Sequence, residues 1–220
     1  MYNIICLKYG DKYGPEYVNH LYNMTHRFCS LPFRFVCFTE NTQGISKNIE
    51  VKPLLLCNQS NITGWWHKLS FFQKKIYDLE GTVLFLDLDL VITNTIDKFF
   101  ELEGEFLAIW DWMHGYTKNT YNSSVMRWQV GEQTHVWDKF QKNPRKIMDK
   151  YPGDQEFISE IGQLTSWPKA WCASYKWQHG WENIDPETSI MVFHGRPNPS
   201  EAIQGMGSYP PAPWIRNFWR

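Results

Sequence analysis

The chain has 220 residues and a formal net charge of -1 at pH 7, with 43% hydrophobic and 20% charged residues. This length and composition are typical of one globular domain with a sizeable core, and they exclude a disordered chain. The near-neutral charge, without a run of Lys and Arg, gives no signal for nucleic-acid binding. Trp is unusually frequent, with twelve residues, and aromatic faces can pack in a core or stack on sugar rings and bases.

The cysteines and the apolar runs bear on the compartment. The five cysteines are widely spaced and form no C-x-x-C pair: Cys6, Cys29, Cys37, Cys57 and Cys172. Such a set is typical of reduced thiols in a cytosolic protein and not of a disulfide framework or a zinc site. The run Ile4–Leu7 is too short for a signal peptide, and no run approaches the ~20 apolar residues that span a bilayer. The sequence therefore predicts a soluble, cytoplasmic protein without a transmembrane segment.

The first half of the chain alternates predicted strands and helices. Strands are predicted at Tyr2–Leu7, Arg34–Thr39, Ile49–Leu56 and Val83–Ile92. Apolar residues at helical spacing predict one helix that begins at Pro15 and a second over Trp65–Leu79. This alternation implies an α/β fold with a mostly parallel central sheet flanked by helices on both faces.

The second half has shorter and less regular predicted elements. Strands are predicted at Phe106–Trp110, Asn122–Trp128 and Ile190–Phe193. Helices are predicted at Ile96–Leu102, Thr134–Lys142, Pro144–Lys150 and Asp154–Ile161. No internal repeat or linker divides the chain, so we expect a single domain over residues 1–220, ending in an irregular tail over residues 201–220.

The segment Val83–Ile92 carries the strongest chemical signal, because Asp87 and Asp89 interrupt an otherwise apolar strand. If the strand geometry continues, both side chains point to the same face. Two carboxylates close together in an apolar setting raise each other's pKa and cost stability unless a cation or a shared proton compensates them. A Mg²⁺ or Mn²⁺ ion bound by carboxylate oxygens is the simplest compensation. The structural alternative is a strand that ends at Asp87, with Asp89 capping the following turn.

Five short motifs follow one another along the chain, and together they span residues 1–200: Cys37–Glu40, the D-x-D of Leu86–Asp89, Asn122–Met126, Gly153–Gln155 and Phe193–Gly195. In this order they resemble the GT-A-type nucleotide-sugar glycosyltransferases, especially the glycogenin and bacterial galactosyltransferase group called family 8. The resemblance implies a single GT-A (Rossmann-like) domain. Its nucleotide-binding half would cover residues 1–110, and its donor-sugar and acceptor half would cover residues 111–200.

The resemblance implies a reaction and a set of partners. The protein would be a metal-dependent glycosyltransferase that moves a sugar from a nucleotide-sugar, a UDP-sugar in this group, to a glycan, a lipid-linked molecule or another hydroxyl acceptor. The group retains the anomeric configuration, so retention is expected here as well. The last segment, Trp214–Arg220, mixes aromatic and basic residues, which suits peripheral contact with a membrane-bound acceptor as well as packing on the body of the protein.

The resemblance also implies roles for individual residues. Asp87, Asp89 and His194 would hold Mn²⁺ or Mg²⁺ between the two phosphates of the donor, and a His ligand suits Mn²⁺ better. Candidate contacts to the nucleotide and its phosphates are Leu7, Tyr9, Thr39, Lys68, Asp87, Leu88 and Arg196. Candidate catalytic residues, which would face the donor sugar and the reacting carbon, are Asn122, Asp154 and Gln155.

Some of these residues have structural alternatives or depart from the family pattern. Lys68 also fits an exposed helix lysine, His194 a core or capping histidine, and Asp154 a helix N-cap. In the family the late His is followed three positions later by Gly and then by a phosphate-binding lysine, whereas here Gly195 follows His194 directly and only Arg196 can replace the lysine. Ser124 stands where the family has Gly, which affects the donor sugar more than the fold.

Two other functions fit parts of the sequence. Asp87 and Asp89 match the nucleophile and the acid–base residue of haloacid-dehalogenase-like phosphatases. That motif normally opens a chain, however, and the second Asp of the later acidic motif is missing after Asp154. A non-catalytic glycan-binding protein would instead use a tryptophan surface made of Trp167, Trp171, Trp177 and Trp181, which in a transferase would form the acceptor site.

Overall fold

The computed structural model describes residues 1–55, 62–112 and 120–220. Its strands are β1 (Tyr2–Lys8), β2 (Phe33–Thr39), β3 (Glu50–Lys52), β4 (Thr82–Leu86), β5 (Leu90–Ile92), β6 (Phe106–Trp110), β7 (Tyr121–Gln129), β8 (Thr165–Ser166), β9 (Cys172–Ser174) and β10 (Ile190–Val192). Its helices are α1 (Pro15–Phe28), a 3₁₀ helix (Gly64–Phe72), α2 (Lys98–Glu101), α3 (Thr134–Lys142), α4 (Pro144–Lys150), α5 (Asp154–Ile161), α6 (Pro199–Ala202) and α7 (Ile215–Phe218).

The central sheet has seven strands in the order β3-β2-β1-β4-β7-β6-β8. Strands β3, β2, β1 and β4 are mutually parallel, so their carboxyl ends meet at one end of the sheet. Strand β7 runs antiparallel to β4 and β6, which brings its amino end to that same end of the sheet. The predicted α/β class with a mostly parallel central sheet is therefore confirmed.

Both faces of the sheet are buried, which explains why its central strands are almost continuously apolar. Along β4, Leu84 and Leu86 belong to one core cluster and Val83 and Phe85 to the other, as the alternation of side chains requires. Helix α1 packs in the first cluster, and the 3₁₀ helix, α3 and α5 pack in the second. Helices thus cover the central sheet on both of its faces.

A smaller sheet in the order β5-β10-β9 places the late part of the chain beside the D-x-D segment. Strand β10 pairs antiparallel with β5, and the backbone N–H of Phe193 donates to the carbonyl oxygen of Asp89 at 3.0 Å. Because His194 follows Phe193 directly, this pairing brings His194 to the same end of the central sheet as the two aspartates.

The helix predicted over Trp65–Leu79 is wrong in type and length. The structure has a 3₁₀ helix that ends at Phe72, and Tyr77 has a φ of 52°, a left-handed conformation that cannot continue a right-handed helix. Ile76 and Leu79 instead form an antiparallel bridge across a tight turn. Both residues are buried in the second core cluster, so the apolar spacing indicated burial and not helical structure.

The third strand is shorter than predicted. Only Glu50–Lys52 of the segment Ile49–Leu56 forms a strand, and residue 56 lies outside the described residues. Strand β3 is at the end of the sheet and pairs with β2 alone. It therefore has one row of hydrogen bonds, and its side chains are mostly not buried.

Residues 201–220 pack on the body of the protein. Ala212 and Ile215 are fully buried, and the ring of Trp219 lies edge-on to Tyr17 of α1, with ring centroids 5.0 Å apart. Most of this segment lacks regular structure, and α7 is its one full helix among the residues that the structure describes.

The described cysteines, Cys6, Cys29, Cys37 and Cys172, are free thiols, and Cys57 lies outside the described residues. No helix in the described part of the chain combines the length and the apolar character that crossing a membrane requires.

Candidate functional site

A cleft of about 250 Å³ opens where the carboxyl ends of β1 and β4 meet the amino end of β7, and we call it the strand-end cleft. Ligands of open α/β sheets bind at such strand ends. The lining includes every predicted site residue except Thr39 and Arg196, namely Leu7, Tyr9, Lys68, Asp87, Leu88, Asp89, Asn122, Asp154, Gln155 and His194. Residues that are far apart in the sequence therefore share one cleft.

Asp87 and Asp89 lie in the short connection between β4 and β5, just after β4 ends at Leu86. The backbone N–H of Asp87 donates to the carbonyl oxygen of Ser124 at 2.9 Å, which fixes the connection against β7. Leu88, between the two aspartates, is 3% exposed and belongs to the first core cluster. The side chains thus alternate as in a strand, and both carboxylates line the cleft although β4 itself has ended.

Lys68 is buried on the floor of the cleft and does not point to solvent. Its Nζ lies 2.9 Å from Asp87 Oδ2 and 3.8 Å from Asp154 Oδ2, and it donates to Ser123 Oγ at 3.2 Å. Burial lowers the pKa of Lys68, but the charges of Asp87 and Asp154 outweigh this effect and the net shift is upward. The ammonium group is therefore charged, and it holds two carboxylates that come from different elements.

Asp154 begins α5, and its side chain turns into the cleft instead of capping the helix. The N-cap position is Gly153, and no side-chain cap hydrogen bond is formed there. Asp154 Oδ2 accepts a hydrogen bond from Ser123 Oγ at 2.7 Å. Burial raises the pKa of Asp154, while the charge of Lys68 and the bond from Ser123 act in the opposite direction. The carboxylate is thus fixed at one side of the cleft.

Asn122 and Gln155 come together as the sequence predicted for residues of one site. Asn122 Nδ2 donates to Gln155 Oε1 at 3.4 Å, and Asn122 Oδ1 accepts from the backbone N–H of Ser124 at 3.0 Å. Ser123 was not predicted as a site residue. Its side chain bonds both Lys68 and Asp154, and the only sequence signal was its place beside Asn122 in the strand motif.

Asp89 is held by a residue that the sequence did not single out. The hydroxyl of Tyr13 donates to Asp89 Oδ2 at 2.8 Å, across 76 residues of sequence. Burial and the neighbouring charge of Asp87 raise the pKa of Asp89 to about 6, and the bond from Tyr13 opposes this rise. Burial and the charge of Asp89 in turn raise the pKa of Tyr13, so its hydroxyl stays a donor.

The predicted nucleotide contacts divide into two groups. Leu7 and Tyr9 line the cleft after β1, and the ring of Tyr9 lies 5.8 Å from that of His67. Thr39 donates to the carbonyl oxygen of Asn41 and does not line the cleft. Arg196 also lies outside the lining: it is exposed, and its Nε donates to Glu201 Oε1 at 2.8 Å. The cations of the cleft lining are Lys8, Lys12 and Lys68.

The side chains that could act as ligands fit a hard divalent metal ion only in part. Asp87 and Asp89 offer carboxylate oxygens to the cleft, but His194 Nε2 lies 3.0 Å from Ser174 Oγ. Burial and the charge of Lys176 lower the pKa of His194 to about 4, so its ring is neutral at pH 7 and available as a nitrogen ligand. Within residues 1–55, 62–112 and 120–220, no three His, Cys, Asp or Glu side chains are grouped closely enough to hold a metal ion. His194 would have to leave Ser174, or use its other nitrogen, to join the aspartates.

No family model and no curated protein matches this sequence, but solved structures share its fold. The galactosyltransferase LgtC, solved with donor and acceptor sugar analogs, is 14% identical; the match covers 90% of this chain and 88% of that chain, with a TM-score of 0.60. The glycosyltransferase GlyE of Streptococcus pneumoniae is 12% identical over 100% of this chain and 60% of that chain, with a TM-score of 0.66. Mouse xyloside xylosyltransferase 1 is 14% identical over 89% and 98%, with a TM-score of 0.57. The expected resemblance to GT-A glycosyltransferases is thereby confirmed in the fold.

Proposed function

We propose that this protein is a metal-dependent glycosyltransferase that moves a sugar from a UDP-sugar to a hydroxyl acceptor. One observation carries the proposal: Lys68 joins Asp87 and Asp154 at the strand ends of a GT-A sheet, with Asp89 in the same cleft. A buried ammonium beside carboxylates that remain reachable from a cleft is suited to a ligand that brings both phosphate charge and a metal ion.

The phosphates would bind between Lys68 and the two aspartates. Asp87 and Asp89 would hold Mn²⁺ or Mg²⁺, and Mn²⁺ is favoured if His194 turns to join them. The ion would supply Lewis-acid neutralisation of the charge that builds up on the leaving diphosphate. Lys68 offers a second positive charge, already fixed in place by Asp87 and Ser123, so it needs little reorganisation when the donor binds.

The donor sugar would lie over Asn122, Asp154 and Gln155. Hydroxyl groups of the sugar find an amide pair in Asn122 and Gln155, which contact each other at 3.4 Å. The Asp154 carboxylate, held by Ser123, would place negative charge where positive charge develops on the anomeric carbon. The base and ribose would lie over Leu7 and Tyr9, with Tyr9 as the stacking ring, and we expect retention of configuration.

The acceptor would be a glycan or a lipid-linked sugar. We place the enzyme in the cytoplasm, because the widely spaced cysteines of the sequence form no C-x-x-C pair and are typical of reduced thiols. The fold favours a transferase over a haloacid-dehalogenase-like phosphatase, because the solved structures described above that share it are glycosyltransferases. A glycan-binding protein without catalysis would leave the ion cluster of the cleft unexplained.

The proposal is tested by calorimetric titration of UDP with and without Mn²⁺, on the wild type and on Asp89→Asn. The variant keeps the shape of the side chain and removes the charge, so we expect Mn²⁺-dependent UDP affinity to fall about tenfold or more. The matched control is Asp149→Asn, an exposed aspartate of α4 outside the cleft. A UDP affinity that changes neither with Mn²⁺ nor with the Asp89→Asn substitution would contradict the proposal.

A further inference from the structure

Two further cavities lie on the side of the strand-end cleft that His194 borders. A second cavity of about 330 Å³ is bordered by Asn122, Gln155 and His194, which also line the strand-end cleft, and by Asp111, Lys176 and Trp177. Asp111 and Trp177 in turn line a third cavity of about 290 Å³. Because neighbouring cavities share wall residues, the three cavities lie side by side, and the third cavity is two cavities away from the D-x-D aspartates.

The third cavity, which we call the aromatic cavity, is lined by four tryptophans: Trp110, Trp112, Trp167 and Trp177. Trp167 forms a rigid wall, since its ring is buried and its Nε1–H donates to the carbonyl oxygen of Val125 at 3.1 Å. Trp177 is 56% exposed and presents a large apolar ring to the cavity and to solvent. Such exposure is unfavourable in water and is relieved when a ligand with an apolar face covers the ring.

The tryptophan surface predicted from the sequence is thus only half correct. Trp171 packs on Phe99, with ring centroids 5.3 Å apart, and Trp181 packs on Tyr175 at 5.7 Å; neither lines the aromatic cavity. Their places are taken by residues from the end of β6 and just after it, Trp110 and Trp112. Trp112 also lies edge-on to His194, with centroids 5.0 Å apart, so it stands between the aromatic cavity and the strand-end cleft.

The polar groups of the aromatic cavity limit what can bind there. Asp111, Lys169 and Gln178 contribute a carboxylate, an ammonium and an amide to its lining. Opposite charges in one small cavity do not select a charged ligand, whereas all three groups can hydrogen-bond hydroxyls. A pyranose ring combines an apolar C–H face for an indole ring with a rim of hydroxyl groups, so it matches both kinds of surface.

We infer that the aromatic cavity binds the terminal, neutral pyranose of an acceptor saccharide, with Trp177 as its stacking face; this inference rests on the proposed transfer function. One acceptor hydroxyl would reach past Asp111 to the space beside Gln155. Its oxygen forms the new bond to the anomeric carbon, and the bond from that carbon to the diphosphate oxygen breaks. The diphosphate leaves with both electrons of the broken bond and takes the hydroxyl proton.

The inference is tested with ligand-detected NMR on three neutral probes: methyl β-D-galactopyranoside, methyl α-D-glucopyranoside and methyl α-D-mannopyranoside. Saturation transfer from the protein is measured with and without UDP and Mn²⁺. We expect at least one probe to bind the wild type, Trp177→Ala to weaken that binding about tenfold, and Trp177→Phe to retain most of it because the ring face remains. Tyr77→Ala removes an aromatic ring of similar exposure elsewhere on the surface and is the matched control.

The outcomes separate this inference from the proposed function. UDP affinity should be unchanged in Trp177→Ala, since Trp177 does not line the strand-end cleft. If no probe binds the wild type, or if Trp177→Ala binds the probe as well as the wild type does, the inference is overturned. If UDP fails to bind while the probe still depends on Trp177, the donor assignment fails and the sugar site remains. If UDP binding depends on Asp89 and probe binding depends on Trp177, the strand-end cleft is the donor site and the aromatic cavity is the acceptor site.

Discussion

Two buried cations are associated with opposite ends of β7, and they are held in different ways. Near its amino end, Lys68 bonds Ser123 and lies between the carboxylates of Asp87 and Asp154. Near its carboxyl end, Arg127 donates to four backbone carbonyl oxygens, those of Phe99, Phe100, Leu102 and Gly104, at 3.3, 3.1, 2.6 and 2.6 Å. Lys68 is 6% exposed and Arg127 7%, so burial alone does not distinguish them.

The hydrogen-bond and ion-pair partners of Lys68 and Arg127 do distinguish the two cations. The carbonyl groups around Arg127 are neutral and come from α2 and the turn that follows it, so the guanidinium closes the end of a short helix. The carboxylate of Asp87 beside Lys68 remains 22% exposed and faces a cleft. A buried cation therefore indicates a binding site when its anionic partners can still be reached by a ligand. The comparison predicts that one substitution affects stability and the other affects binding.

The largest expected effect is that of Arg127→Met on stability. Methionine fills much of the volume but leaves four carbonyl groups without their charged donor, so we expect the free energy of unfolding to fall by about 4 kcal/mol. Urea unfolding followed by circular dichroism measures this change. Arg145→Met, at an exposed position of α4, is the control and should change stability by less than about 0.5 kcal/mol. A drop in UDP affinity of the folded Arg127 variant would remove the distinction between the two cations.

The second effect is that of Lys68→Met on UDP binding. Without the ammonium, the phosphates lose a charge-assisted contact and Asp87 and Asp154 repel them, so UDP affinity should fall about a hundredfold, or about 2.7 kcal/mol. Stability should fall by less than in Arg127→Met, because water in the cleft can solvate Asp87. Calorimetry with Mn²⁺ gives the first value and urea unfolding the second. Lys74→Met, exposed just after the 3₁₀ helix, is the control, and equal UDP affinity in both variants would show that Lys68 is structural.

The sequence was sufficient to predict the structure of those segments in which a local pattern of residues determines the fold. The apolar run before Asp87 predicted a strand buried on both faces, and the rule that ligands bind at strand ends placed the aspartates in a cleft. Gly153 and the apolar spacing after Asp154 predicted α5 with the bounds that it has in the structure. In both cases neighbours in sequence supply all the information that is needed.

The sequence was not sufficient to predict site contacts between segments that are far apart along the chain. Lys68 meets Ser123 across 55 residues, and this contact exists because β7 inserts antiparallel between β4 and β6. No local pattern encodes that pairing. Arg196 is a different case, because it resembles a phosphate-binding residue in sequence but donates to Glu201, only five residues further along the chain. Nothing in the sequence indicated that Tyr13 belongs to the site beyond its place in the loop after β1. Its substitution has the smallest of the predicted effects on UDP binding.

Tyr13→Phe removes the hydroxyl that donates to Asp89 and leaves the ring in place. The bond from Tyr13 lowers the pKa of Asp89, which burial and Asp87 already raise to about 6, so without it the pKa rises further. A metal ion binds the ionised carboxylate, and the variant should therefore need a higher pH than the wild type to reach the same Mn²⁺-dependent UDP affinity. We expect a loss of about threefold at pH 7, a larger one at pH 6 and little at pH 8, measured by calorimetry. Tyr22→Phe, on α1 and away from the cleft, is the control, and a loss that is equal at all three pH values would mean that Tyr13 only packs against the site.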